Sequence, residues 1–147
     1  MTETELTTAL SAATQFSLAC SRIAVKRTQD EGVREFAGFE LAETTALSGI
    51  FKNIGIGAPS MNGTDAEIFS QLEKTTSSAA FDKLYIDSQW NNHKFLRDLT
   101  EDYLEQAPVK KLDSTESQTR NMSMLAVVLF EEHLTLTEKI GRQLAGK

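Results

Sequence analysis

The sequence predicts an all-α fold, and three observations carry the prediction. Apolar residues recur at intervals of three and four through four long segments. No run alternates apolar and polar residues over the length of a strand. The two prolines, Pro59 and Pro108, fall between the periodic segments rather than inside them, where they would break a helix.

The first helix is expected from about Glu5 to Thr28, with Leu6, Leu10, Ala13, Cys20 and Ala24 on one face and Phe16 and Ile23 beside it. The Gln29-Asp30-Glu31-Gly32 cluster ends it. A second helix runs from about Glu31 to Ile54 on Val33, Phe36, Ala37, Leu47, Phe51 and Ile54, and Gly55, Gly57 and Pro59 then stop it. The connector from Gly55 to Ser77 holds a short helix, capped by Thr64 or Asp65, whose apolar side is Ile68, Phe69 and Leu72. Ser77 or Ser78 caps the third long helix, which reaches about Gln106 on the stripe Phe81, Leu84, Tyr85, Phe95, Leu96, Leu99 and Tyr103. After Pro108 and a polar linker, the fourth starts near Asp113 or Ser114, with Glu116 placed for a capping interaction. Its stripe is Met122, Leu125, Ala126, Leu129, Leu136, Ile140 and Leu144.

Three short links would give a simple up-and-down bundle, but the middle link is too long for that. A connector of this length can return the chain along the bundle, so that the second and third long helices run parallel. The expected architecture is therefore a ferritin-like four-helix bundle with a long connector carrying a short extra helix, one domain over residues 1–147.

Composition narrows the function classes. With 40% hydrophobic and 24% charged residues, the chain has the make-up of a soluble globular protein. A formal charge of -6 and no basic run beyond Lys110-Lys111 argue against nucleic acid, whose phosphates require a basic face. The one cysteine, Cys20, excludes an intramolecular disulfide and a cysteine-rich zinc site. No apolar run approaches the roughly 18–20 residues of a membrane span. Met1 to Leu10 carries Glu3 and Glu5 without a basic region, unlike a signal peptide, so as it stands the chain reads as cytoplasmic. The association left to expect is with another copy of the chain or another protein.

Polar residues interrupt the stripes, each about halfway along its helix. Ser17 lies in the first stripe, and Glu40 and Thr44 lie in the second with Glu43 on its flank. Ser88 and Asn92 fall in the third stripe, with His93 about 120° from its centre by the helical period of about 100° per residue. His133 falls in the centre of the fourth. A carboxylate in an apolar interior costs several kcal/mol (about 3–5 when its partner is missing), so Glu40 calls for a partner, and His133 is the best placed. Two readings follow. One is a metal or ligand site built from facing helices. The other is a buried hydrogen-bond network of Ser17, Glu40, Thr44, Asn92 and His133 that fixes helix register. An apolar ligand enclosed by Phe16, Phe36, Phe95 and Met124 is a third arrangement. There is no HExxH, no CxxC and no phosphate loop, since Gly55-Ile56-Gly57 follows a helix rather than a strand.

The run Ala79-Ala80-Phe81-Asp82-Lys83-Leu84-Tyr85-Ile86, followed by His93, resembles a motif of the ferritin-like family catalogued as domain of unknown function 4142. Ile23-Ala24, Val33-Arg34-Glu35-Phe36-Ala37 and Glu132-His133-Leu134 are similar as well, so the resemblance spans about Leu6 to Leu144. It implies a ferritin-like bundle. It also implies an envelope or stress-related role, in a periplasm if an export signal has been removed. The chain departs from the family where members carry a glutamate, here Ser17, and an aspartate-histidine pair, here Glu43-Thr44. It also has no Glu-x-x-His, the element from which di-iron bundles build their centre. The expectation is a non-catalytic bundle acting through its surface or as an oligomer. The alternative is a protein with a reduced metal site. Glu40, Glu43, His93 and His133, with Asp82 or Asp87 as further candidates, would hold a divalent ion such as zinc, manganese or iron.

Overall fold

Five helices make up the computed structural model, which describes residues 1–61, 63–106 and 114–147. They are α1 (Glu3–Arg27), α2 (Glu31–Asn53), α3 (Gly63–Lys74), α4 (Ser78–Gln106) and α5 (Ser114–Ala145), and no strand occurs among the described residues. Their ends follow from local chemistry. Thr2 opens α1 in a capping box: its side chain accepts from the Glu5 amide at 3.2 Å, and Glu5 accepts from the Thr2 amide at 2.7 Å. Asp30 caps α2 by accepting from the Val33 amide at 3.0 Å.

At the other end of α2, Gly55 takes φ 82°, a left-handed conformation in which a side chain would be strained. This lets the Gly55 amide reach the Lys52 carbonyl and the Ile56 amide reach the Phe51 carbonyl. The short helix begins one residue before the expected caps, so Thr64 and Asp65 lie in its first turn. Pro108 and Asp113 lie outside the described residues.

Contacts between side chains give the helix directions. Ser17 meets Glu40 and Gln15 meets Ser48, so α1 and α2 are antiparallel. Trp90 meets Glu138 and Arg97 meets Glu131, so α4 and α5 are antiparallel. Ser21 meets Tyr85 and Ser17 meets Gln89, so α1 and α4 are antiparallel as well. It follows that α2 and α4 run parallel, as the long connector requires. α3 lies in that connector against α1 and α4. Arg27 secures it by donating to the carbonyls of Leu72, Glu73 and Thr75 while its guanidinium sits 4.4 Å from the Phe81 ring centroid.

The interior holds two apolar clusters. One contains Phe16, Phe36, Phe81, Tyr85 and Ile140 among others, and the second contains Leu6, Leu10, Phe51, Leu96 and Phe130. Ser17, Glu40, Gln89, His93 and His133, all buried, form a polar layer between them.

The apolar stripes of α4 and α5 are rotated from those expected. Phe95 is 52% exposed and Leu125 64% exposed, whereas His93, expected on a flank, is 2% exposed. The reason is that polar residues, most of them small, occupy the interior faces: Ser88, Thr100 and the larger Gln89 on α4, and Thr119, Ser123 and Thr137 on α5. Thr100 and Thr137 satisfy their hydroxyls on the carbonyls of Leu96 and His133, four residues back, and so can be buried cheaply. The imagined apolar enclosure also fails. Phe16 and Phe36 are buried, but Phe95 and Met124 are on the surface.

Candidate functional site

Four helices converge on the polar layer. Glu40 comes from α2, His93 from α4 and His133 from α5, at 2%, 2% and 4% exposure, and Ser17 reaches in from α1. Glu40 Oε2 lies 2.9 Å from His133 Nδ1 and 3.2 Å from His93 Nε2, and the two ring nitrogens are 3.0 Å apart. Three potential ligand atoms thus form a nearly equilateral triangle. These three residues are the described group whose donor atoms approach closely enough to hold an ion.

The protons can be placed from the outer partners. His93 Nδ1 is 2.7 Å from the Gln89 carbonyl, which only accepts, so that nitrogen carries the hydrogen. His133 Nε2 is 3.0 Å from Glu43 Oε2, also an acceptor, so the neutral ring carries its hydrogen there. In their neutral forms both rings therefore direct a lone pair at Glu40 Oε2. That oxygen is buried and, although within reach of both nitrogens, meets neither along a hydrogen-bond direction. The other carboxylate oxygen is satisfied: Ser17 donates to Glu40 Oε1 at 2.5 Å. Gln89 stands 2.6 Å from the same hydroxyl. Turning its amide over gives the orphaned Nε2 a role, donating to Ser17, which in turn donates to Glu40.

Charge in this layer is strongly coupled. Burial alone would raise the Glu40 carboxyl, but the positive field of His93 and the close approach of His133 outweigh it and hold the group well below the usual carboxylate range. Burial alone would lower His133, but Glu40 and Glu43 outweigh it and raise the imidazole to about 9. The Nδ1 hydrogen of the charged His133 lies within the triangle, 2.9 Å from Glu40 Oε2 and 3.0 Å from His93 Nε2 measured from its nitrogen.

Of the sequence candidates, Glu40, His93 and His133 come together, and Glu43 stands behind His133 with its side chain 39% exposed. Asp82 does not join them. It is buried at the end of the bundle near Thr28, where burial raises its carboxyl. Asp87 is exposed and pairs with Lys83. Thr44 bonds back to the Glu40 carbonyl at 2.6 Å, and Asn92 reaches the Ala13 carbonyl at 3.4 Å, so neither joins the side-chain network expected of them. Gln89 was not anticipated. Its signal was its place four residues before His93, on the same helix face.

Fold and site together define an all-helical protein with a buried carboxylate–imidazole cluster. The chain belongs to the family described as domain of unknown function DUF4142, whose family model matches residues 1–124. Glu40, Glu43 and His93 lie within the matched segment, and His133 lies beyond it. Neither the curated proteins nor the solved structures give a match to this chain. Among the described residues, no helix is long and apolar enough to cross a membrane.

Proposed function

We propose that this chain is a ferritin-like four-helix bundle that binds one divalent metal ion through Glu40, His93 and His133. The observation that carries the proposal is the convergence of three buried potential ligand atoms, with the far nitrogen of each imidazole turned to an outer acceptor. Metal-bound histidines commonly donate the distal N–H to a carbonyl or carboxylate, as His93 does to Gln89 and His133 does to Glu43. Ser17 orients the ligand carboxylate in the same sense.

The spacing supports a small ion. For ligand bonds of about 2.1 Å, one face of an octahedron has edges of about 3.0 Å and one face of a tetrahedron about 3.4 Å. The triangle of 2.9, 3.0 and 3.2 Å fits the first and needs a few tenths of an ångström for the second. Two imidazoles and one carboxylate suit zinc, manganese or iron(II).

The test is titration of chelator-treated protein with zinc, followed by calorimetry and elemental analysis. One ion per chain is expected. Glu40→Ala and His133→Ala should each weaken binding by about 100-fold or more, while circular dichroism shows the helices retained. Parent-like affinity in both variants would refute the assignment.

A surface role without chemistry is supported by a different observation. The segment from Asn121 to Phe130 holds no charged residue, yet Met124, Leu125 and Val128 are 57%, 64% and 62% exposed. Light scattering of the purified chain would report self-association through this strip as a mass above the monomer.

A further inference from the structure

The metal-binding triangle has two unlike faces. On one side, the Phe36 ring packs edge-on against both imidazoles, with centroids 5.3 Å from His133 and 6.3 Å from His93. On the other side, all three residues line a cleft of about 190 Å³ between α2 and α5. Its walls are Ala46, Leu47 and Ile50 from α2 and Leu125, Leu129 and Phe130 from α5. Ile50 and Leu125 are 43% and 64% exposed and frame the mouth. Among its lining residues is Glu40, whose Oε2 is buried and without a hydrogen bond. The cleft is thus a largely apolar pocket whose polar lining gathers at the cluster and its neighbours Ser17, Glu43 and Thr44, the pattern of a small-molecule site.

We infer that this cleft admits a short-chain monocarboxylate, whose head group binds the metal ion and whose alkyl tail lies between α2 and α5. The inference rests on the metal-binding reading above. An ion held by Glu40 and two neutral imidazoles carries one uncompensated positive charge in a buried place, and an anionic donor removes it. Glu43 does not substitute for that donor, because its half-exposed carboxylate faces water and the far nitrogen of His133. No lysine or arginine lines the cleft, so the anion's counter-charge is the ion itself. The volume is below that of drug-sized sites, which begin at about 300 Å³, and so fits a tail of a few methylenes.

The experiment uses cobalt(II), whose visible bands report its coordination, in place of the native ion. Cobalt-loaded protein is titrated with acetate, butyrate, hexanoate and octanoate, and with hexylammonium as a cationic control. The bands should shift with each carboxylate. Affinity should rise by about fourfold per methylene until the cleft is filled, and hexylammonium should leave the spectrum unchanged. In Ala46→Trp, an exposed position on the cleft wall, the gain from acetate to hexanoate should fall by about tenfold. In Leu125→Asp the gain should fall likewise.

Cobalt binding with no shift by any carboxylate would overturn the inference and leave the metal site standing. So would equal affinity for acetate and hexanoate, or a chain-length gain untouched in both variants. Failure of the parent protein to bind cobalt or zinc would overturn the metal-binding reading and this inference with it.

Discussion

His133 is the residue on which the chemistry of the layer turns. Its folded pKa of about 9 lies above the unfolded value of about 6.5. The stabilisation it provides to the metal-free protein is therefore fully present below about pH 6.5 and is lost as pH rises through about 9. The full effect is on the order of 3 kcal/mol, less whatever solvent screening removes on the Glu43 side. Thermal melts of metal-free protein from pH 6 to pH 10 should show a falling midpoint, and His133→Gln should flatten that slope. Glu40 acts at the other end of the scale. Its depressed carboxyl stabilises the fold above the ordinary carboxylate range, and that contribution is lost progressively as pH falls through that range into strong acid. Ser17 is the third control point. Ser17→Ala removes the donor to Glu40 Oε1 and leaves Gln89 without a partner. A loss of about 1.5–3 kcal/mol is expected in denaturant unfolding, since the bond goes to a charged group. A loss below about 0.5 kcal/mol would mean that water replaces the hydroxyl at no cost.

At the scale of elements, the interior faces of α1, α4 and α5 are built as much from serine and threonine as from large apolar residues. Thr7, Ser11, Thr14, Ser17 and Ser21 are all buried on α1, at the spacing of a helix stripe. Small side chains let the helices approach, and their hydroxyls find acceptors such as the Glu3 carbonyl for Thr7 and the Gly57 carbonyl for Ser11. α3 is seated by Leu72, buried in the core with Ile68 and Phe69 against it, and is pinned at its end by one side chain. Arg27 satisfies carbonyls at the C-terminal end of that helix, which otherwise lack partners. Arg27→Ala should cost about 1–3 kcal/mol and speed hydrogen exchange across Leu72 to Thr75 before the long helices open. Arg27→Lys should recover little of this, because an ammonium cannot serve diverging carbonyls and stack on Phe81 together.

Across the whole molecule, Glu40, His93 and His133 come from three long helices that are distant in sequence, so an ion held by them would tie those helices together. An ion that binds the folded chain and not the unfolded one stabilises it by about 2.7 kcal/mol at a hundred times its dissociation constant. For a chain of this length, that corresponds to a rise of roughly 5–10 °C in melting temperature. Zinc should produce this rise in the parent and not in Glu40→Ala. A rise of equal size in both would place the ion elsewhere on the acidic surface.

Much of this was legible in the residues. Helix ends follow from short-range chemistry, so Asp30, Gly55 and Ser77 marked boundaries correctly to within a residue or two. A buried carboxylate is costly enough that Glu40 in an apolar stripe demanded a partner, and His133 was recognisable as one. Helix rotation was not legible. An apolar stripe locates a helix face only when the interior is apolar, and here threonines and serines share the interior while Phe95, Leu125 and Val128 face outward. His93 was therefore placed on a flank, although packing turns it to the centre. The sequence by itself determined that the chain is helical, where its helices end and that its middle is polar, because these depend on local hydrogen bonding and burial cost. The tertiary structure alone decided which nitrogens and oxygens meet. That depends on rotations of a few tens of degrees in α4 and α5, set by the sum of many small contacts.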